Sequence, residues 1–185
     1  MQRYREDASD RVRDESPHVA LARQTVENYI KTGLVLRGKE SIPDILATEK
    51  AGVFVSIKKH GALRGCIGTI SPMTENVGEE IRANAISAAT RDPRFQAVDK
   101  SELPYLEYSV DVLAPPKLVE SEDSLDPERY GVIVSLGGKR GLLLPALEGV
   151  EDVETQISIA MQKAGIAGKD RLKVRLERFE VIRYK

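Results

Sequence analysis

Residues 53–68 read VFVSIKKHGALRGCIG. Val53, Val55 and Ile57 alternate with Phe54, Ser56 and Lys58, the period of a strand with one buried face. His60-Gly61 is a turn pair, so the stretch predicts a β-hairpin whose second strand carries the chain's single cysteine. On an extended second strand, Arg64 and Cys66 project to one face while Leu63, Gly65 and Ile67 take the other. A cation then stands beside a thiol flanked by Gly65 and Gly68. An arginine in that place favours the thiolate, the nucleophilic form, and the glycines admit close approach of a backbone or a ligand.

Outward from the hairpin, helices and strands interleave. Ser16 is an N-cap and Pro17 a first helical residue, followed by an apolar stripe of Ala22, Val26, Tyr29 and Ile30 that Gly33 ends. After the cysteine segment, Thr74 is read as the cap of a second helix with Val77, Ile81, Ala85 and Ala88 on one face, stopped at Asp92-Pro93. Leu106, Tyr108, Val110 and Val112 alternate with Glu107, Ser109 and Asp111 in a half-buried strand that ends before Pro115-Pro116. A polar connection runs to about Tyr130, and a second hairpin follows from Val132 to Leu144, turning at Gly137-Gly138. Asp152 caps a third helix with Val153, Ile157, Met161 and Ala164 on its stripe and Gly165 at its end. A final strand from Val174 to Tyr184 slips its alternation after Leu176, as a bulge requires. Without a regular βαβ rhythm, the expectation is an α+β fold with a mixed, largely antiparallel sheet and flanking helices.

Composition narrows the function classes. The 185 residues suit one domain or two small lobes. A net charge of −1, from 28 basic and 29 acidic residues, gives no general reason to expect nucleic acid or an anionic membrane as partner. Basic groups such as Lys58-Lys59-His60 read as solvated faces, and no aromatic ladder accompanies them for base stacking. One cysteine forms no internal disulfide and no apolar run approaches membrane-spanning length, so the cytoplasm is the expected address. Residues 1–15 lack the apolar core of a secretory signal and read as a mobile extension before a domain at 16–185. Exposed edge strands permit a homo-oligomer without demanding one.

Cys66 has two readings: a small buried packing group, or a nucleophile. For the second, Arg64 tunes the thiol, His60 is the nearby group able to accept a proton, and Arg94 in the Asp92-Pro93-Arg94-Phe95 loop reaches an anionic ligand. The candidate catalytic residues are therefore Cys66 and Arg64, with Gly65, Gly68, Arg94 and His60 at the substrate. Backbone N–H groups near Gly65 to Gly68 are the candidates for holding an oxyanion. Two histidines and one cysteine supply too few ligands for a metal site. Gly-Gly-Lys-Arg-Gly at 137–141 lacks the spacing of a phosphate loop.

Leu63-Arg64-Gly65-Cys66-Ile67-Gly68, Asp92-Pro93-Arg94-Phe95 and Gly141-Leu142-Leu143-Leu144-Pro145, in this order, resemble the AMMECR-type domain family. The resemblance runs from about Pro17 to Tyr184. Tyr108 to Leu113 and Lys163 to Ile166 are most similar to bacterial members of the AmmeMemoRadiSam system. The resemblance implies two unequal lobes with the cysteine motif near the cleft between them. It also implies association with a Memo-like protein and a radical S-adenosylmethionine protein. An iron-sulfur cluster of the radical type needs three cysteines, so no such cofactor is expected on this chain.

Overall fold

A computed structural model of the chain describes residues 15–35, 38 and 42–185. The expected extension therefore lies outside the described residues, except for Glu15. The chain divides into two compact units, one running to Val112 and taking back Arg183–Lys185, the other formed by Leu113–Ile182. Among the described residues, no helix is long and apolar enough to cross a membrane.

The first unit begins with α1 (Pro17–Thr32). The Ser16 hydroxyl accepts the Val19 N–H at 3.3 Å, and Gly33 closes the helix at φ 75°, the left-handed conformation that glycine adopts without steric cost. Strands β1 (Val53–Lys59) and β2 (Ala62–Gly68) form the hairpin, with positive φ at both turn residues, His60 and Gly61. Helix α2 (Val77–Thr90) is capped by Asn76, whose side-chain oxygen accepts the Glu79 N–H at 2.9 Å. This corrects the assignment of Thr74 as the cap. Thr74 instead donates its hydroxyl to the Asn76 carbonyl and to Glu80, holding the loop before the helix.

A 3-10 turn at Lys100–Tyr105 leads into β3 (Leu106–Leu113). β3 pairs antiparallel with β1 and sets Val112, Val110 and Tyr108 against Val53, Val55 and Ile57. All but Val112 are buried, and they pack with Ala22 and Val26 of α1 and Ile81, Ala85 and Ala88 of α2 in one core. Burying each such valine or isoleucine contributes roughly 1.5–3 kcal/mol. One sheet face is thereby committed to the helices, and the opposite face carries Phe54, Ser56, Ser109 and Asp111.

In the second unit, β4 (Lys117–Leu118), β5 (Gly131–Leu136), β6 (Lys139–Leu143) and β7 (Arg175–Phe179) form an antiparallel sheet in the order β4-β7-β5-β6. Helix α3 (Val153–Ala164), capped by Asp152 and closed by Gly165 at φ 64°, buries Ile157, Ala160 and Met161 with Val132 and Val134. Strand β4 was hidden in the polar connection because two residues carry no alternation.

The expected bulge after Leu176 is a break. Pairing stops at Glu180, and Val181–Tyr184 forms a separate strand, β8, in the sheet of the first unit. The register of β7 is regular from Arg175 to Phe179, and the alternation slips because Leu176 and Phe179, on opposite faces of this strand, are both buried. With β8 the first sheet has the order β2-β1-β3-β8. The fold is α+β with antiparallel sheets, as expected.

Candidate functional site

The pairing of β2 with β1 decides where the cysteine points. At the turn the register is Lys59 with Ala62 and Lys58 with Leu63, but beyond it Ile57 faces Gly65 and Ser56 faces Cys66. Arg64 is the extra residue of a bulge. Unbroken pairing would set Cys66 against Val55, on the core side. The bulge instead turns Gly65 towards the core and Cys66 towards the polar face.

Ser56 is opposite Cys66 on one side and Ser109 on the other, so a polar row crosses three strands. The Ser56 hydroxyl donates to the Cys66 sulfur at 3.2 Å, and the cysteine is half-buried. The neighbouring row is Gly68, Phe54 and Asp111. A Cβ on Gly68 would stand 2.2 Å from the Phe54 ring, so that glycine gives the ring its place on this face.

β2 is an edge strand, and its exposed backbone at Cys66 is covered by the Asp92–Phe95 loop. Asp92 accepts the Cys66 N–H at 2.9 Å, while an Arg94 N–H approaches the Cys66 carbonyl at 3.4 Å. The same carboxylate holds Arg94 through two charge-assisted bonds, Nη2 to Oδ2 at 2.7 Å and Nε to Oδ1 at 3.0 Å. The Arg94 guanidinium holds the Asp92 carboxyl well below the usual carboxylate range; burial opposes this, and the Cys66 and Arg94 amides add to it. A second pair repeats the arrangement. Arg183 on β8 donates Nε to Asp111 Oδ1 at 2.7 Å and Nη2 to Oδ2 at 3.0 Å.

In both pairs the acid is inside and the base outside. The side chains of Asp92 and Asp111 are 2% and 4% exposed, those of Arg94 and Arg183 55% and 33%. Each guanidinium is raised in pKa first by its own aspartate, with burial opposing, and the charge of Cys66 adds to both. Arg94 also reaches the Cys66 carbonyl, and Asp111 holds Arg183 from the row next to the cysteine. Neither Nη1 is taken by those bonds.

The expected residues separate on this geometry. Cys66 and Arg94 come together. The Arg64 guanidinium is engaged elsewhere: the bulge directs it to Glu102, with Nε to Oε1 at 3.0 Å and Nη2 to Oε2 at 2.9 Å, and to the carbonyls of Gln96 and Ala97. Arg64 is the main cause lowering Glu102 to about 2, with the Asp99 amide and Lys59 assisting against burial. Gly65, expected at the substrate, is buried against α2, where a Cβ would stand 2.1 Å from the Ala88 carbonyl oxygen. Gly68 is occupied by Phe54. His60 sits at the hairpin tip with its ring tilted against Tyr105, and the hydrogen bond to the sulfur comes from Ser56 instead. The Cys66 N–H is taken by Asp92 and is not available to an oxyanion. Ser56, Asp111 and Arg183 were missed as site residues. Alternation already placed Ser56 and Asp111 on polar faces, but nothing in it paired them with the cysteine.

The AMMECR1 family model matches residues 19–184, a span that contains every residue of this site. The chain belongs to the AMMECR1 family. A Thermotoga maritima protein is 49% identical over 172 residues, covering 92% of this AMMECR1 chain and 98% of the relative. A Clostridium acetobutylicum protein is 48% identical over 190 residues and covers the whole chain. The chain spans only 39% of that relative's length. The crystal structure of an uncharacterised protein from Pyrococcus horikoshii superposes with a TM-score of 0.82 at 33% identity, covering 90% of this chain and 88% of the other. The AMMECR1 fold is thus shared with an archaeal relative of similar extent.

Proposed function

We propose that this AMMECR1 chain handles an anionic, electrophilic substrate at Cys66, either as an enzyme or as the substrate-handling subunit of one. The observation that carries the reading is the paired arrangement of Asp92 with Arg94 and Asp111 with Arg183. Each buried carboxylate fixes a more exposed guanidinium near the same half-buried sulfur. The Nη1 groups, uncommitted among the described residues, suit a carboxylate or phosphate of the substrate. In the reaction class we favour, the thiol proton leaves to water and the sulfur forms a bond to a carbonyl carbon. The π pair moves to the carbonyl oxygen, and a guanidinium stabilises the charge that develops there.

Two alkylating reagents test this. Iodoacetate carries the expected negative charge and iodoacetamide does not. The native protein should favour iodoacetate relative to an unfolded control, and R94Q or R183Q should lower the iodoacetate to iodoacetamide rate ratio several-fold. A Cys66 that reacts with neither reagent until the protein is unfolded would defeat the reading.

The second reading is a non-catalytic adaptor that presents this face to a modified peptide or to a partner. Two observations favour it. Among the described residues, the side-chain hydrogen bond to the sulfur is donated by Ser56, not received by a base. The Clostridium relative also extends far beyond the span matched by this chain, so the domain occurs as part of a longer polypeptide. We place both readings in the cytoplasm, where a lone thiol stays reduced. The proposed partners are a Memo-like protein and a radical S-adenosylmethionine protein of the AmmeMemoRadiSam system. Co-purification with these two, comparing wild type with C66S, separates the readings. Turnover with partners that C66S abolishes supports the enzyme, and unaltered binding and turnover support the adaptor.

A further inference from the structure

The second unit has a cavity of about 290 Å³ whose lining includes Pro115, Lys117, Arg129, Tyr130, Arg178 and Glu180. Three of these side chains are cations and one is an anion. Lys117 on β4 lies directly opposite Arg178 on β7, so two positive side chains share one sheet face as cross-strand neighbours. Like charges so placed repel, and a sheet gains nothing from the pairing by itself. Arg129 and Arg178 both approach the Tyr130 ring, their guanidinium carbons 4.9 and 4.3 Å from its centroid. Glu180 accepts from Arg129 Nε at 3.2 Å and Nη2 at 3.0 Å, which balances one charge. Lys117 and the remaining donors of Arg178, whose Nη1 bonds the Ser124 carbonyl, leave an excess of two positive charges.

The cavity is built on fixed backbone. The buried Gln156 donates its amide to the Tyr130 carbonyl at 2.8 Å, and the Tyr130 N–H donates to the Asp126 carbonyl at 2.7 Å. The next residue is Gly131, where a Cβ would stand 2.2 Å from the Phe179 ring. The tyrosine that gathers the arginines is therefore held at its N–H and its carbonyl and followed by a tightly packed glycine.

The geometry points to a binding site for a small phosphate ester. A dianionic phosphate matches the excess of two charges on Lys117 and Arg178, and a planar guanidinium binds two phosphate oxygens at once. The Tyr130 ring and Pro115 offer apolar surface to the organic part of the ester. The volume lies at the small end of ligand cavities, which suits a metabolite and not an extended polymer. The site lies wholly in the second unit and does not depend on the reading of Cys66.

Calorimetric titration at constant ionic strength tests it, with phenyl phosphate and inorganic phosphate as probes. Phenyl phosphate should bind saturably and more tightly than inorganic phosphate. K117Q and R178Q should each weaken phenyl phosphate about tenfold or more, while C66S leaves its affinity unchanged. The Lys117 side chain is exposed and has no hydrogen bond or ion pair among the described residues, so K117Q decides the matter if R178Q does not fold. Absence of saturable binding, equal affinity for the two probes, or K117Q affinity equal to wild type would each overturn the assignment.

Discussion

The carboxylate of Asp92 stands where the carbonyl of a neighbouring strand would stand, accepting the Cys66 N–H 2.9 Å away at the edge of the sheet. An edge strand otherwise presents unpaired backbone groups to the surroundings. Asp92 and Arg94 satisfy the N–H and the carbonyl of the one residue whose side chain carries the thiol. Edge protection and presentation of the sulfur are therefore the work of the same two side chains.

Asp92→Ala removes the acceptor for the Cys66 N–H, for the Arg94 N–H and for the Arg94 guanidinium together. A lost hydrogen bond to a charged group costs about 1.5–3 kcal/mol. The denaturation midpoint in urea should fall accordingly, and the Cys66 amide should exchange its hydrogen faster than in wild type. An unchanged midpoint would mean that the loop does not clamp the strand.

Acid stability should depend on Glu102. Its carboxyl is lowered from 4.5 to about 2, chiefly by Arg64, so the folded state binds this proton less readily than the unfolded chain. A depressed carboxyl contributes stability above the unfolded value and loses it as pH falls through the folded one. The protein should thus lose stability between about pH 4.5 and 2. Asp92, also lowered, acts in the same direction. E102Q should be less stable at neutral pH and should show a shallower decline over this window, measured as urea midpoints at each pH.

The two glycines beside the cysteine should respond differently to alanine. At Gly65 the new Cβ meets a backbone oxygen, Ala88 O, at 2.1 Å, and neither backbone can yield without moving α2 or the sheet. Gly65→Ala should cost about 3 kcal/mol or more, at the upper end of overpacking. At Gly68 it meets the near edge of the Phe54 ring, 2.2 Å from Cγ, which turning the ring leaves in place but swinging the side chain about its Cα–Cβ bond can move, so Gly68→Ala should cost about 1–2 kcal/mol. Thermal unfolding separates them: an equal loss in both would show that the ring is as immovable as the helix.

Much of the fold was legible because local chemistry and tertiary packing agree. Ser16 and Gly33 bound α1 as caps should, and Val53, Val55 and Ile57 face the core as their spacing requires. The site was legible only in part. Cys66 and Arg94 stand out as residue types, but the contact of Cys66 with Ser56 depends on one extra residue at Arg64, which has no periodic signature. Asp111 and Arg183 are 72 residues apart and meet because β8 returns to the first sheet after the break at Glu180. No short-range pattern encodes that return.

Arg64→Lys distinguishes a structural arginine from one that tunes the thiol. Lysine keeps the positive charge but loses the planar fork that grips both Glu102 oxygens and reaches the Gln96 and Ala97 carbonyls. The variant should be destabilised by about 1–2 kcal/mol, since the lost bonds are partly buried and charge-assisted. The iodoacetate to iodoacetamide rate ratio at Cys66, taken under conditions where both proteins are folded, should stay at the wild-type value. A ratio that drops as far as in R94Q would return Arg64 to the sulfur. A ratio that holds while stability falls assigns Arg64 to the bulge and the 3-10 turn that carries Glu102, with the work at the thiol left to Arg94 and Arg183.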